Sequence, residues 1–546
     1  MSLHAHAVPD IPEDTAQIAK AVFRKGNSYM TMRDELGTFF TDDQFVDLYP
    51  ADGQPAFSPW RLALICVMQF AENLTDRQTA EAVRARIDWK YALSLKLDDT
   101  GFDHSILCEF RQRLLVSGKS EQVLNQMLSH FKSLKLLKAR GKQRTDSTHV
   151  LAAIRLLNRL ELIGETLHHA LNEIAVAAPQ WLKRWVDPVW FDRYERSFNE
   201  YRLPLADAER EQLALTIGHD GLSLLHAIYD PSQKPTSLRD LKSVVTLRQV
   251  WVQQYALNDD VLWWRDVKNL PPCDLRIQSP YDREARYSNK GTVNWVGYKI
   301  HLTETCDQET PHLINHVETT RGTVQDVEVV PKIHADLAIQ ECLPAQHIAD
   351  TGYNSAGLFQ DSHTQYGIDL ISPVRVGRSW QEAANNGFGL SHFQIDWERH
   401  RVVCPRGKTS SSWTLCPKRQ GHDVFYIKFR EPDCRVCPAK ADCTRGKRRT
   451  ISIRTAELYG IMQQKREFQA SDEFRALYQQ RAGVEGTMSH AAWTLGARRA
   501  RYRGQEKVHL QNVLTAAAIN LTRAVNWLNE IPRAKTRVTR FKALAA

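Results

Sequence analysis

The segment HIADTGYNS, residues 347–355, constrains the fold of this chain more than any other. A short apolar run closes on Asp350. Gly352 follows, then Asn354 and Ser355, residues suited to turns and helix caps. The pattern predicts a strand, a turn and a helix, with a carboxylate at the strand's C-terminal end. Sites in open α/β sheets sit at such places. A carboxylate at the end of a central strand is costly unless it is exposed, paired or bound to metal. One such acid taken alone reads as a surface carboxylate, so its company decides.

Two other acids supply that company. Asp146 lies in KQRTDSTHVL, residues 142–151, which reads as a short strand. Val296, Tyr298, Ile300 and Leu302 alternate with Lys299, His301 and Thr303, the period of a half-buried strand beginning near residue 294. Further strands are predicted at 312–320 and 367–374, with a helix at 327–340 between them. The third acid, Glu485, belongs to a helical pattern. Tyr478, Arg481 and Glu485 stand three, four and seven residues apart, on one helical face. An Arg-Glu pair at that spacing contributes only a few tenths of a kcal/mol. Gly483 and Gly486 each cost such a helix about 1 kcal/mol against alanine. Either the backbone approaches something closely there, or the helix is imperfect.

Residues 1–140 read as mostly helical. A helix over 60–72, a turn at Asn73 and Leu74, and a capping box at Thr75 and Gln78 introduce an apolar stripe of Ala80, Val83 and Ile87. This is a helix-turn-helix or an ordinary helical hairpin whose basic face carries Arg77, Arg84, Arg86 and Lys90. Residues 152–270 are rich in Leu, Ala and Trp with helical periodicity; Trp181, Trp185, Trp190, Trp251, Trp263 and Trp264 there read as packing residues. Residues 376–450 are loop-rich and hold five of the ten cysteines. Cys434 and Cys437 form the tight pair of a zinc site, which Cys443 and Cys404 complete, with Cys416 as an alternative. Free thiols are the competing reading. Helical patterns return towards the C-terminus, where Arg498, Arg499, Arg501, Arg503 and Lys507 make the densest basic run near Glu485. Backbone phosphates would explain that run, and so would a solvated face. Residues 531–546, with Arg533, Lys535, Arg537, Arg540 and Lys542, read as a basic arm.

A net charge of +9 over 546 residues is mild; it suits a polyanionic partner without requiring one. No apolar run reaches the roughly 18 residues of a membrane span. No basic stretch followed by an apolar one opens the chain, so a cytoplasmic location is expected.

Asp146 in a strand, Asp350 in Asp-x-Gly-Tyr and Glu485 in Tyr-x2-Arg-x3-Glu together resemble the DDE transposases of bacterial insertion sequences, in the group with a Tyr-Arg-Glu-Lys signature. Residues 89–115 look like that group's N-terminal helical region, 295–307 like its second core strand, and 501–507 like its C-terminal basic segment. The signature lysine falls at position 492, which is alanine here; Arg498 or Arg499 would have to supply the charge. The resemblance implies an α/β ribonuclease-H-like, retroviral-integrase-like core. Its expected layout is a helical DNA-binding region (1–140), a first core strand (141–151), a helical insertion (152–270) and the core proper (271–375). A Cys-rich module with possible zinc (376–450), C-terminal core helices (451–530) and the tail (531–546) follow. It also implies that Asp146, Asp350 and Glu485 hold two Mg²⁺ or Mn²⁺ ions for DNA strand cleavage and transfer. Tyr478, Arg481 and the basic run would then face double-stranded DNA, both transposon ends and target, in a homodimer or higher oligomer associated with the nucleoid. A DNA-binding derivative without catalysis is the alternative, and a stand-alone nuclease a weaker one; the presence of all three acids favours the transposase.

Overall fold

The computed structural model describes residues 2–199, 203–230, 232, 235–375, 380–383, 387–419, 422–533, 541 and 544. Its centre is a six-stranded sheet. The strands are β1 (Lys142–Leu151), β2 (Arg286–Lys290), β3 (Val293–Thr305), β4 (Ile314–Arg321), β5 (Gln346–Ala349) and β6 (Asp369–Ile371). Across the sheet they run β4, β3, β1, β5, β6, and β2 pairs with the first residues of β3. β3 is antiparallel to β1 and β4, whereas β1, β5 and β6 are mutually parallel. Helix α1 (Asp326–Ile339) connects β4 to β5, and α2 (Ala356–Tyr366) connects β5 to β6. The predicted strands and the 327–340 helix are present, with ends shifted by a few residues.

Register sets the site. The last residue of β5, Ala349, lies opposite Thr145 of β1. The next residue on each parallel strand is an acid, so Asp146 and Asp350 come side by side. Beneath them the sheet is stitched by neutral polar side chains: Thr145 Oγ1 lies 2.7 Å from Thr303 Oγ1 and 2.6 Å from His347 Nε2. Burial pushes the His347 imidazole well below its usual range, so it serves as a neutral hydrogen-bonding group.

The N-terminal helices share their core with this sheet. Helix Pro59–Ala71 is apolar almost all round and packs against α5 (Gln505–Leu528). One continuous core links Trp60, Phe70 and Phe110 through Val513 and Ala517 to Tyr298 and Ile300. The basic face expected on the second helix is half formed: Arg77 and Arg84 are exposed on it, Arg84 paired with Glu81 at 2.6 Å, whereas Arg86 and Lys90 leave it. That helix, Asp76–Ala85, carries the anticipated capping box and buries Ala80 and Val83. Arg86 is extended and begins a separate helix, Ile87–Ala92, so Ile87 leaves the stripe. Arg86 pairs with Glu72 and Asp88, and the buried Lys90 donates at 2.7 Å to the carbonyls of Leu97 and Asp99. Ammonium and guanidinium are spent on internal acceptors because the segment folds back on itself.

The chain between β1 and β2 is a helical unit with its own core around Ile163, Leu167, Ile217, Val250 and Trp251. Helical periodicity does not extend to residue 270. Tyr255–Asn258 and Val261–Trp264 form a hairpin, turned by Asp259 and Asp260 at φ +49° and +63°. The β-branched and aromatic residues flanking an Asp-Asp turn favour it. The region read as loop-rich holds a three-stranded sheet, Ser412–Arg419, His422–Lys428 and Thr450–Arg454, over Ile427, Phe429, Ile451 and Ile453. Its period-two runs are too short to stand out among charged and turn residues. In the basic arm, Arg533 donates to the Thr310 carbonyl at 2.8 Å, whereas Lys535, Arg537, Arg540 and Lys542 lie outside the described residues. Among the described residues no helix is long and apolar enough to cross a membrane.

Candidate active site

Asp350 is fixed from three sides. Its Oδ1 accepts the Gly352 N–H at 2.7 Å, and its carbonyl accepts the Ser372 hydroxyl at 2.7 Å. Asn354 in turn donates to Ser372 Oγ at 2.7 Å. A Cβ on Gly352 would come 3.0 Å from Asp350 Oδ1 and 3.3 Å from Asp326 Oδ2, so glycine lets two carboxylates converge on the turn. Tyr353 is fully buried, and its hydroxyl lies 2.7 Å from His301 Nδ1 on β3. The Asp-x-Gly-Tyr motif is thus a turn anchored downward by its tyrosine, presenting its aspartate upward.

Asp146 accepts the Ser147 N–H at 2.8 Å. Burial pushes its carboxyl above the usual range; Arg481 opposes this, and the Asp350 charge adds to it. Helix α3 (Asp472–Gln479) and helix α4 (Ala482–Trp493) meet at Gln480 and Arg481, both in right-handed helical conformation. The single face expected for Tyr478, Arg481 and Glu485 therefore survives across a joint between two helices. Arg481 reaches 3.0 Å to Asp146 and 2.8 Å to Glu485, so one guanidinium ties the strand acid to the helix acid. The Glu485 side chain is 63% exposed, open to a ligand. Tyr478 stacks on Phe474 at 5.5 Å.

The glycines of α4 differ. A Cβ on Gly483 would collide with the Arg144 guanidinium, whereas Gly486 faces open space. Close approach is therefore the reason at 483 and supplies none at 486. Arg144 lies 2.6 Å from Glu304 and donates to the Gln480 carbonyl. Glu304 is fully buried and is also bound by Arg523 at 2.7 Å and Thr487 at 2.6 Å. This network locks β1, β3, α4 and α5 together directly behind the acids.

Sequence reasoning missed Asp326. It opens α1, pairs with Lys299 at 3.1 Å and accepts from Ser147 Oγ at 3.3 Å. An acid at a helix start reads as dipole compensation; its contacts with Ser147 and with the Gly352 turn place it beside the strand acids. The basic run divides. Residues 498–500 hydrogen-bond to Leu151 and extend the end of β1. Arg498 donates to Thr148 Oγ1 at 3.0 Å and Arg499 is exposed. Arg501 is turned inward, donating to Leu74 and Asn73 over the Phe70 ring, and ties the N-terminal helices to the core. Arg503 and Lys507 are exposed.

Cys404, Cys434, Cys437 and Cys443 line one pocket of about 40 Å³, and Cys416 is not among its lining residues. The Lys408 and Arg449 N–H groups donate to the Cys404 and Cys434 sulfurs at 3.3 and 3.5 Å. Burial pushes the Cys443 thiol up, with Arg449 opposing. Among the described residues His316, Glu318 and Asp336 stand close enough together to hold a metal, but they are already bridged by Lys332, 2.8 Å from Glu318 and 2.7 Å from Asp336. It is an ion-pair network with its cation in place.

A sheet in which β3 runs against β1, β5 and β6, with acids at adjoining positions of β1 and just past β5 and a third on a later helix, has the layout of a ribonuclease-H-like core. Residues 403–525 match the family described as Transposase DDE domain, and residues 18–113 match the family described as Transposase domain (DUF772). Comparison with curated proteins gives no match. The two matches support an insertion-sequence DDE transposase, a polynucleotidyl-transferase-type enzyme of DNA transposition. A DDE domain implies DNA as partner and dependence on a divalent metal, generally Mg²⁺.

Proposed function

We propose that Asp146, Asp350 and Glu485 are the acids that hold two Mg²⁺ or Mn²⁺ ions for cleavage and joining of DNA at the element's ends. The adjacency of Asp146 and Asp350 across the β1–β5 pair carries this reading. Carboxylate oxygens are the donor set these hard cations prefer. The need for local positive charge is visible in Arg481, which balances Asp146 and Glu485. When bound, such ions supply activation of the attacking oxygen and neutralisation of the leaving 3′ oxygen. The chain's own residues hold the geometry. Gly352 and Ser372 fix Asp350, Arg144 and Thr487 fix the helix of Glu485, and Arg498 and Arg499 offer guanidinium groups to phosphates beside the cut. Tyr478 and Arg481 line the same face. Double-stranded DNA, as transposon end and as target, is the substrate; pairing of two ends calls for a dimer or larger assembly on DNA, in the bacterial nucleoid.

The purified protein is to be incubated with duplexes carrying its element's ends, with Mg²⁺ or with EDTA. Metal-dependent cutting at the ends followed by joining to a target duplex is expected. Binding without cutting across Mg²⁺ and Mn²⁺ would instead identify a DNA-binding derivative, and cutting without joining a nuclease.

The Cys-rich segment, in this reading, holds a structural zinc through Cys404, Cys434, Cys437 and Cys443. Four thiols lining one pocket, two of them accepting backbone N–H groups, are the donor set a structural zinc takes. Elemental analysis is expected to find about one zinc per chain, lost in Cys437→Ser together with a lower unfolding temperature. Full-length protein without zinc and with unchanged stability on adding chelator would refute it. The N-terminal helices, with residues 1–140, are assigned to DNA recognition in the same proposal.

A further inference from the structure

The helical insertion and the core enclose a cleft of about 1120 Å³ beyond the end of β1. Helix Lys242–Gln254 forms one wall. Residues 280–286, Arg321 and the start of α5 form the other. The walls are linked by Arg283, which donates to Gln249 at 2.8 Å. Lys242, Arg248, Arg283, Arg321, Arg503 and Lys507 all line the cleft. None of the six forms an ion pair with another described residue. Arg286, beneath them, is held below the usual guanidinium range by its burial and by Arg321 nearby.

The acids of the cleft do not answer these charges. Asp282 accepts the Tyr298 hydroxyl at 2.6 Å and the Gly504 N–H at 3.2 Å. Glu284 accepts the Gln505 N–H at 2.7 Å. These two carboxylates are directed into the backbone at the start of α5, and Glu506, the third acid lining the cleft, is exposed and forms no ion pair with another described residue, so six cations share the cleft with one outward-facing acid. Six unanswered positive charges on two facing walls are costly for folding alone through mutual repulsion. They are what a polyanion of regular charge spacing requires. The cleft lies past the far end of the strand that carries Asp146. From Asp146 to Leu151 β1 rises about 17 Å at roughly 3.3 Å per residue. Arg503, bonded to the Ala153 carbonyl at 3.2 Å, begins the cleft just past that end.

We propose that this cleft seats the phosphate backbone of the DNA duplex about five or more base pairs from the scissile phosphate, with the helical insertion as a clamp closing over it. The proposal rests on the transposase reading and adds to it the function of the insertion. Contacts of this kind position a duplex without reading its sequence.

The test uses full-length protein and a fluorescently labelled 40-base-pair duplex of arbitrary sequence, beside one carrying the element's end. Affinity is measured between about 50 and 200 mM KCl for the intact chain and for Lys242→Ala/Arg248→Ala/Arg321→Ala, with far-ultraviolet circular dichroism to confirm folding. Each lost phosphate contact lowers the salt slope by about one. The triple variant is expected to bind both duplexes at least about tenfold more weakly near 150 mM, with a slope shallower by about three. A folded variant with the intact chain's affinity and slope overturns the clamp while leaving the transposase reading in place. An intact chain that binds neither duplex overturns both. As a second arm, the charge-conserving Lys242→Arg is expected to keep affinity and slope; loss of binding there would show that shape rather than charge was at stake and would also overturn the proposal.

Discussion

Asp350→Asn is expected to leave DNA binding within about twofold and to lower strand cleavage by about a thousandfold or more. The amide is nearly the size of the carboxylate, and its oxygen can still accept the Gly352 N–H that the native Oδ1 accepts at 2.7 Å. The turn, the Tyr353 anchor and the Ser372 bond to the backbone carbonyl are untouched. What is lost is one negative charge beside Asp146, in the proposed reading a metal donor. Metal stabilisation of developing charge contributes several kcal/mol, and about 4 kcal/mol corresponds to about three decades of rate. Glu485→Gln acts on the same centre from the helix side and is expected to fall in the same range. The measurement is single-turnover cleavage of a pre-bound end duplex in saturating Mg²⁺, with binding followed separately. Cleavage within tenfold of the intact chain would remove Asp350 from the proposed triad. A variant that also failed to bind would point instead to a turn that needs the charge to fold.

How much of this was legible beforehand depends on what kind of signal each residue carries. Asp146 and Asp350 were found because each lies in a short strand pattern, and strand alternation is a local property. That they stand side by side was not legible, since it follows from the pairing of Thr145 with Ala349 across two hundred residues. Asp326 was missed for a like reason: nothing local distinguishes an acid in the first turn of a helix from one that also meets Ser147 and the Gly352 turn. Gly483 was flagged as a cost to a helix, and the cause, the guanidinium of Arg144, came from a strand far away in sequence. Lys90 and Arg501 show the converse error. Each was read as outward because cations usually are, yet the ammonium of Lys90 is enclosed by carbonyls and Arg501 lies over Phe70. Clustered cysteines with a tight pair were legible as a group; that Cys404 lines their pocket and Cys416 does not was legible only in the fold.

Glu304→Gln tests what holds the third acid in place. The native carboxylate is fully buried among Arg144, Arg523 and Thr487. Burial would push its carboxyl up, but Arg523 and Arg144 overcome that and hold it below the usual range. Removing its charge leaves Arg144, only 6% exposed, as a cation without its counter-charge in the interior. Breaking a buried pair in this way costs about 3–5 kcal/mol, to be read in urea unfolding followed by tryptophan fluorescence. The pH dependence gives a second, independent readout. A carboxyl depressed in the folded state binds protons more readily when unfolded, near pH 4.3. Its contribution is therefore fully present above that pH and is lost as pH falls through the lower folded value. Glu304→Gln is expected to be the less stable protein at pH 7 and to approach the intact chain on acidification. A constant gap between the two from pH 7 to pH 3 would mean that packing, not charge, is what the glutamate contributes. Because Arg144 also donates to the Gln480 carbonyl and Thr487 lies two residues beyond Glu485, loosening this network frees the joint that carries Arg481 and the helix that carries Glu485. Cleavage is then expected to fall even at temperatures where the variant remains folded, with binding of duplex DNA retained.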